Sequence, residues 1–330
     1  MILIFSKGKL EASTNDIIDW LEFYGASYRR INREDITIED YNLDINKGTS
    51  NILGLDVVPD DVNVVWHRRW GKSEENYQSI KIENDLEFEE TINRYLFNEY
   101  KGLSFALFNM FKHAYWLSIP SNRMQKDKIG GLRTAKQSGL LVPKTYILSS
   151  KKRLNKILND TSELITKSIV NVEKINIDGI RHIPYTQIVN KEILASIPDV
   201  FFPSLFQEKI EKEYEIRTFY LEGDIYSMAI FSQHDNQTEV DFRKYNFEKP
   251  NRNIPYKLPD NIEKKLCVFM KSMDLRTGSI DIIKSIDGRY IFLEVNPVGQ
   301  FGMVSLPCNY NLEKKMAQLF ITKDNGQRFN

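Results

Sequence analysis

The sequence predicts an α/β layer followed by α+β units, and three observations carry that prediction. Residues 2–66 alternate strand, helix and strand patterns. The middle of the chain offers short apolar strands behind one helix. The last third is a run of strands closed by a helix, with one tight-turn signal at Asp287-Gly288. A chain of 330 residues has room for about two or three domains. The pattern divides it into an N-terminal α/β domain over 1–118, a central unit over 119–201 and a C-terminal unit over 202–330.

Taken in order, residues 2–5 form an apolar first strand. Ile17, Ile18, Leu21, Trp20 and Tyr24 recur at helical spacing and predict a helix over 14–24, ended by Gly25. Residues 28–31 and 62–66 are the next strands. Residues 83–111 form one long helix or a broken pair. A helix over 121–142 runs into Gly139 and Pro143. Strands are expected at 144–148, 164–170 and 185–189, with 171–181 a mobile loop or hairpin. Further strands fall at 205–210, 215–222, 225–232, 278–284 and 290–295, with helices over 260–273 and 311–321.

Composition excludes several function classes. The charges balance, with 45 Lys and Arg against 45 Asp and Glu, so no global field draws the chain to nucleic acid or to an anionic membrane. Cys267 and Cys308 have no CxxC or His-rich company, which argues against a disulfide framework or zinc and for a reducing, cytoplasmic setting. No apolar run is long enough to span a bilayer, and the start lacks the basic region of a signal peptide. Neither a GxxxxGK[ST] loop nor a GxGxxG fingerprint is present, and His67, His113, His182 and His234 are scattered.

Chemistry concentrates near the C-terminus. Gly278-Ser-Ile-Asp281 and Glu294-Val-Asn296-Pro297 lie on two strands joined by the Asp287-Gly288 turn. Side chains alternate along a strand, so Glu294 and Asn296 share a face and Asp281 on the neighbouring strand can meet them. Two carboxylates and an amide oxygen make an oxygen-only site suited to Mg²⁺ whose shell nucleotide phosphates complete. The apolar neighbours Ile280, Ile282, Phe292 and Val295 argue for a strand pair packed on one side rather than a solvated hairpin.

A second segment, Phe206-Gln-Glu208-Lys209-Ile210 through Glu215-Ile-Arg217, reads as a strand leaving one layer for another. Backbone groups exposed at such a hinge can read an adenine edge, and Glu215 can accept from a ribose. Arg217 shares the strand face of Glu215, and its planar fork suits phosphate or carboxylate. Glu211, Lys212 and Glu213 read as an exposed, charge-laced edge. Lys167, among apolar neighbours, needs an anionic partner to offset desolvation. Lys128 alone would be a surface lysine, and Arg243 alone is a weak signal for a second guanidinium at the same place.

These pieces, in this order, resemble the ATP-grasp fold over about residues 120–310, in which two subdomains clamp ATP behind an N-terminal α/β domain. On that resemblance Lys128 and Lys167 match the two ATP lysines. Glu208, Lys209 and Ile210 match the adenine hinge, and Glu215 the ribose acid. Arg217 and Arg243 match the arginines facing the γ-phosphate and the acyl group. Asp281, Glu294 and Asn296 match the metal triad. Within that superfamily the chain is similar to the graspetide, microviridin-type maturases and to the grasp-with-spasm group. The supporting words are Ile4-Phe-Ser6, Ser13-Thr14 with Ile18-Asp19-Trp20-Leu21, Val65-Trp66-His67-Arg68-Arg69 and Glu294-Val-Asn-Pro-Val-Gly-Gln-Phe301-Gly. His67 departs from the aromatic usual there, and Arg68 and Arg69 read equally as partners of interdomain acids.

The resemblance implies ATP and Mg²⁺, and a precursor peptide of leader and core as partner. Oligomeric state stays open, a homodimer being common among similar enzymes. Asp or Glu side chains of the core would become acyl phosphates and then esters of Thr or Ser, or amides of Lys. Residues 171–181 would serve as a lid, and 260–273 or 225–243 as leader docking sites, with packing the ordinary reading of both and the favoured one for the helix. A ligase adding a free amino acid to a protein or small peptide would share the site. Loss of a metal ligand would favour a nucleotide-binding module without turnover, and here Asp281, Glu294 and Asn296 are all present.

Overall fold

The computed structural model describes residues 1–8, 11–35, 57–70, 80–83, 85–118, 127–160, 163–169, 175–177, 180–182, 186–231 and 251–326. The backbone divides into two compact units, Met1–Ser121 with Asn311–Asn330, and Asn122–Tyr310.

The first unit is built on a parallel sheet. β1 (Ile2–Ser6) is buried at every position, as its apolar run demands, and lies between its neighbours. α1 (Ala12–Phe23) turns Thr14, Ile17 and Leu21 inward, and Gly25, at φ +64°, lets the chain reverse after it. β2 (Tyr28–Asn32), β3 (Val64–His67) and β4 (Tyr115–Trp116) complete the order β2-β1-β3-β4. α2 (Leu86–Asn109) is a single helix, not a broken pair, and Asp85 caps it by accepting from Phe88 N at 2.9 Å. Leu3, Phe5, Val65, Leu107 and Phe111 make the core.

The second unit opens with α3 (Lys128–Gln137), which Asp127 caps by accepting from Gly130 N at 2.7 Å. The helix expected from 121 is observed from Lys128, and residues 121–126 lie outside the described ones. Gly139, at φ +81°, ends the segment as expected. β5 (Thr145–Ser150), α4 (Lys151–Asp160), β6 (Leu164–Lys167), β7 (Ile175–Ile177), β8 (Ile180–His182), β9 (Gln187–Ile188), α5 (Lys191–Ser196) and β10 (Val200–Glu208) follow. Four of these strands form the sheet β5-β10-β6-β9, while β7 and β8 pair with each other. The hairpin reading of 171–181 therefore holds for the strands described. α4 was not expected, although Leu154, Ile157 and Leu158 have helical spacing and pack on Leu164 and Phe206.

Within residues 209–211 the chain passes from that sheet into an antiparallel one, β13-β12-β11-β14-β15. It comprises β11 (Lys212–Leu221), β12 (Asp224–Phe231), β13 (Arg252–Tyr256), β14 (Thr277–Ser285) and β15 (Tyr290–Asn296). β11 is its central strand from Glu215 onward, while Glu211 and Glu213 before it are exposed as expected. The alternation Ile216, Thr218, Tyr220 marks a face that must be covered. Ile216, Tyr220, Ile280, Ile282 and Phe292 pack on Leu132 and Ala135 of α3 and on Leu266, Phe269 and Met270 of α6 (Asp260–Ser272). The opposite face carries Phe219, which meets Phe301 beside α7 (Gly302–Cys308) at 5.6 Å between ring centroids. β13 was missed because it contains Pro255. An edge strand tolerates a proline that a central one does not.

The terminal helix α8 (Leu312–Asp324) belongs with the N-terminal unit rather than with residues 202–310. Its Phe320 packs on Trp66 of β3, and Asp324 Oδ1 binds the N-terminal ammonium at 2.5 Å.

Candidate active site

The site face is set by one extra residue. β14 and β15 pair Ser279 with Asn296, Ile280 with Val295 and Asp281 with Glu294, and then the register shifts so that Ile282 meets Phe292. Leu293 is the inserted residue of a β-bulge. Strict alternation would place Phe292 on the face of Glu294 and Asn296. The bulge resets the phase, so Phe292 and Val295 pack with the α3 and α6 core while Glu294 and Asn296 join Asp281 on the other side.

Asp281 and Glu294 thus stand directly opposite, an arrangement that two carboxylates disfavour unless cations offset it. Each has one. Arg217 lies opposite Asp281 on β11, and its Nη1 donates to Oδ1 at 2.5 Å and Oδ2 at 2.6 Å. Lys128, the first residue of α3, places Nζ 3.1 Å from Glu294 Oε2. The row Arg217, Asp281, Glu294, Lys128 therefore sets two adjacent acids between two cations, across three strands and a helix. Lys128 is not the surface lysine its isolated sequence suggested: its side chain is 14% exposed. Arg217 Nε is buried with no hydrogen-bond partner among the described residues.

Asn296 has a local task that sequence reading missed. Its Oδ1 accepts from Val298 N at 3.1 Å, and its carbonyl accepts from Gly299 N at 3.0 Å. This is an Asx-turn, for which Asn before Pro is a recognisable signal. Gly299 has φ +63°, and a Cβ there would lie 3.2 Å from Phe219 Cε2 and 3.4 Å from Thr277 Oγ1. The turn after Asn296 is therefore pinned against the sheet.

Of the other predicted residues, Lys167 ends β6 opposite Leu205 of β10. Glu208 ends β10 with its side chain engaged, Oε1 accepting from Lys144 N at 3.0 Å. Lys209 is tied to Glu163 twice, by N to the carbonyl at 3.0 Å and by Nζ to Oε2 at 2.8 Å. Ile210 lies between the two sheets. Glu215, buried on the face of Arg217, is paired with Lys212. Lys212 was read as exposed, but its side chain is buried because Glu215 offsets its charge. Arg243 lies outside the described residues, as do 171–174 and 178–179 of the expected lid and all of 232–243.

The donor set fits a hard divalent cation: two carboxylates and an amide oxygen that retains a second lone pair. Among the described residues no group of three or more His, Cys, Asp or Glu could hold a metal. The set accordingly depends on Asn296 and on oxygens that a ligand would bring. No helix among the described residues is long and apolar enough to cross a membrane.

No family model matches the sequence, and no curated protein matches it. Solved structures do. A RiPP-associated ATP-grasp ligase from Chryseobacterium gregarium, in complex with ADP and a leader and core peptide, superposes with TM-score 0.80 at 24% identity, over 98% of this chain and 96% of that one. Macrocyclase MdnC from Microcystis aeruginosa MRC, bound with precursor peptide MdnA, gives TM-score 0.77 at 25% identity over 97% and 99%. ATP-grasp ligase PsnB, complexed with a phosphomimetic minimal precursor, Mg and ADP, gives 0.76 at 16% over 98% of each chain. The chain has the ATP-grasp fold along nearly its whole length.

Proposed function

We infer that this chain, which carries the fold of the RiPP-associated ATP-grasp ligases, is an ATP-dependent peptide ligase that cross-links a ribosomally made precursor. One observation carries the reading: the bulge at Leu293 gathers Asp281, Glu294 and Asn296 on a face that also holds Arg217 and Lys128. Those residue types suit a phosphoryl transfer that needs positioning and positive potential more than a protein nucleophile.

In this reading a side-chain carboxylate of the core peptide takes the terminal phosphoryl group of ATP, and ADP leaves. A Thr or Ser hydroxyl, or a Lys amine, of the same peptide then attacks the acyl carbon. Phosphate departs with the bonding electrons, the nucleophile loses its proton, and an ester or amide remains. Asp281, Glu294 and Asn296 would hold Mg²⁺, which when bound neutralises phosphate charge. Lys128 and Lys167 would face the phosphates, the backbone at 208–210 the adenine and Glu215 the ribose. Arg217, with Arg243, would face the transferred group. Neighbours of this fold that hold ADP, Mg and precursor peptides support that assignment of ligands.

The test is incubation of the full chain with ATP, Mg²⁺ and a precursor peptide carrying Thr or Ser and Asp or Glu in its core, read by mass spectrometry. Loss of one water per bond is expected. A mass gain from added amino acid would replace this reading with that of a tail ligase, and no change with any acidic peptide would reject a ligase acting on such substrates.

A further inference from the structure

The paired acids carry their own counter-ions. Asp281 and Glu294 oppose each other across β14 and β15, and each is met by a cation of this chain, Arg217 and Lys128. Lys128 occupies the first position of α3, where the helix dipole disfavours a cation, so Glu294 rather than its own helix holds the ammonium there. Arg217 spends only Nη1 on Asp281, and its buried Nε has no partner among the described residues. A guanidinium with a donor unspent has capacity for an anion that does not come from these residues.

We infer that Lys128 and Arg217 are exchangeable counter-ions: they hold a divalent cation off Glu294 and Asp281 until polyphosphate is present, and the phosphates release the acids by drawing both cations to themselves. The inference rests on the reading of these acids as a metal site. Its physical basis is competition. A divalent ion arriving alone must displace two cations already matched to the acids, leaving an ammonium and a guanidinium partly buried and uncompensated. A divalent ion arriving with phosphate leaves neither stranded. Linkage then requires that removing a counter-ion raise affinity for the bare metal and lower it for the nucleotide.

The experiment follows Mn²⁺, standing in for Mg²⁺, by electron paramagnetic resonance in titrations of the full chain with and without ADP. Wild type is expected to bind Mn²⁺ weakly alone and tightly with ADP. Lys128→Met and Arg217→Met should each bind Mn²⁺ without nucleotide about tenfold more tightly, within the usual range of coupling between sites, and should bind ADP more weakly. Glu294→Gln added to Lys128→Met should abolish the gain. Lys128 begins a helix at a partly exposed position, so its variant carries the test even if Arg217→Met does not fold. Nucleotide-free Mn²⁺ affinity unchanged in a folded Lys128→Met would overturn the inference while wild type still binds Mn²⁺ with ADP. Failure of wild type to bind Mn²⁺ even with ADP would instead reject the metal site, and the inference with it.

Discussion

Arg217 and Asp281 face each other across β11 and β14, and a single guanidinium nitrogen reaches both carboxylate oxygens at 2.5 and 2.6 Å. Both side chains are largely buried, so the pair is matched in charge but poorly solvated. Arg217→Ala strands a carboxylate and should cost about 3 kcal/mol in urea unfolding, the size seen when one partner of a buried pair is removed. Arg217→Ala combined with Asp281→Asn should recover most of that loss. In turnover the single variant should lower kcat far more than it weakens ATP binding, because its fork is assigned to the transferring group. Equal losses in the single and double variants would show that the pair is not the source of the stability.

Asn296 serves a turn and, in the proposed function, a metal. Asn296→Ala removes the acceptor for Val298 N and should destabilise by about 1 kcal/mol, a typical net hydrogen bond. Glu294→Ala removes no turn contact. Both variants should lose Mg²⁺-dependent ATP turnover, and only in Asn296→Ala should a shift of the urea midpoint trace to the turn, since Glu294→Ala instead leaves the part-buried Lys128 without its acid. Asn296→Asp keeps a side-chain acceptor and should restore the midpoint. Wild-type turnover in Glu294→Ala would remove that residue from the site.

His67 gives the N-terminal unit an acid-labile element. Burial pushes its pKa from 6.5 down to about 4, with nearby Arg33 adding to the shift. The native state therefore favours the neutral ring, while the unfolded chain takes up the proton near pH 6.5. Stability from this group is complete above pH 6.5 and falls as pH drops toward 4, by roughly 3 kcal/mol in all at 1.36 kcal/mol per unit. His67→Phe should flatten that slope in urea titrations between pH 7 and 4, and an unchanged slope would place the acid sensitivity elsewhere. The ring meets Phe108 edge-on at 5.4 Å, so an aromatic replacement keeps the packing.

The sequence was most legible where one period dominated. β1, α1 and α6 follow directly from apolar spacing, and Asp287-Gly288 marks the turn between β14 and β15. The three oxygen donors were legible as well, because Glu294 and Asn296 are two residues apart and bracket Val295. What alternation alone leaves unexplained is Phe292, read correctly as packed with Val295. It shares parity with Glu294 but not its face, since the phase is reset by a residue whose side chain gives no sign of being inserted. Lys128 and Lys212 were misread alone for a related reason: a lysine's burial is decided by a distant acid, Glu294 in one case, and by the strand order that buries Glu215 in the other. β13 was hidden by Pro255, and Arg243 lies outside the described residues.

The bulge makes a prediction that runs against ordinary strand behaviour. Deleting one residue from a regular strand turns every side chain beyond it to the wrong face. Deleting Leu293 does not. It joins Phe292 directly to Glu294, and the pairs Ile282 with Phe292 and Asp281 with Glu294 then become consecutive, with Val295 still inward and Asn296 still beside Ser279. The variant should therefore fold, with a cooperative urea transition and a near-ultraviolet spectrum close to wild type. Deleting Ile283 from β14 instead removes a paired residue and should abolish cooperative folding. The cost of losing Leu293 should appear in the site, because a bulge adds local twist and re-aims the side chains next to it. Nucleotide-dependent Mn²⁺ binding should weaken while the fold persists. Unfolding of the Leu293 deletion would show that the inserted residue holds the strand pair together as well as setting its phase.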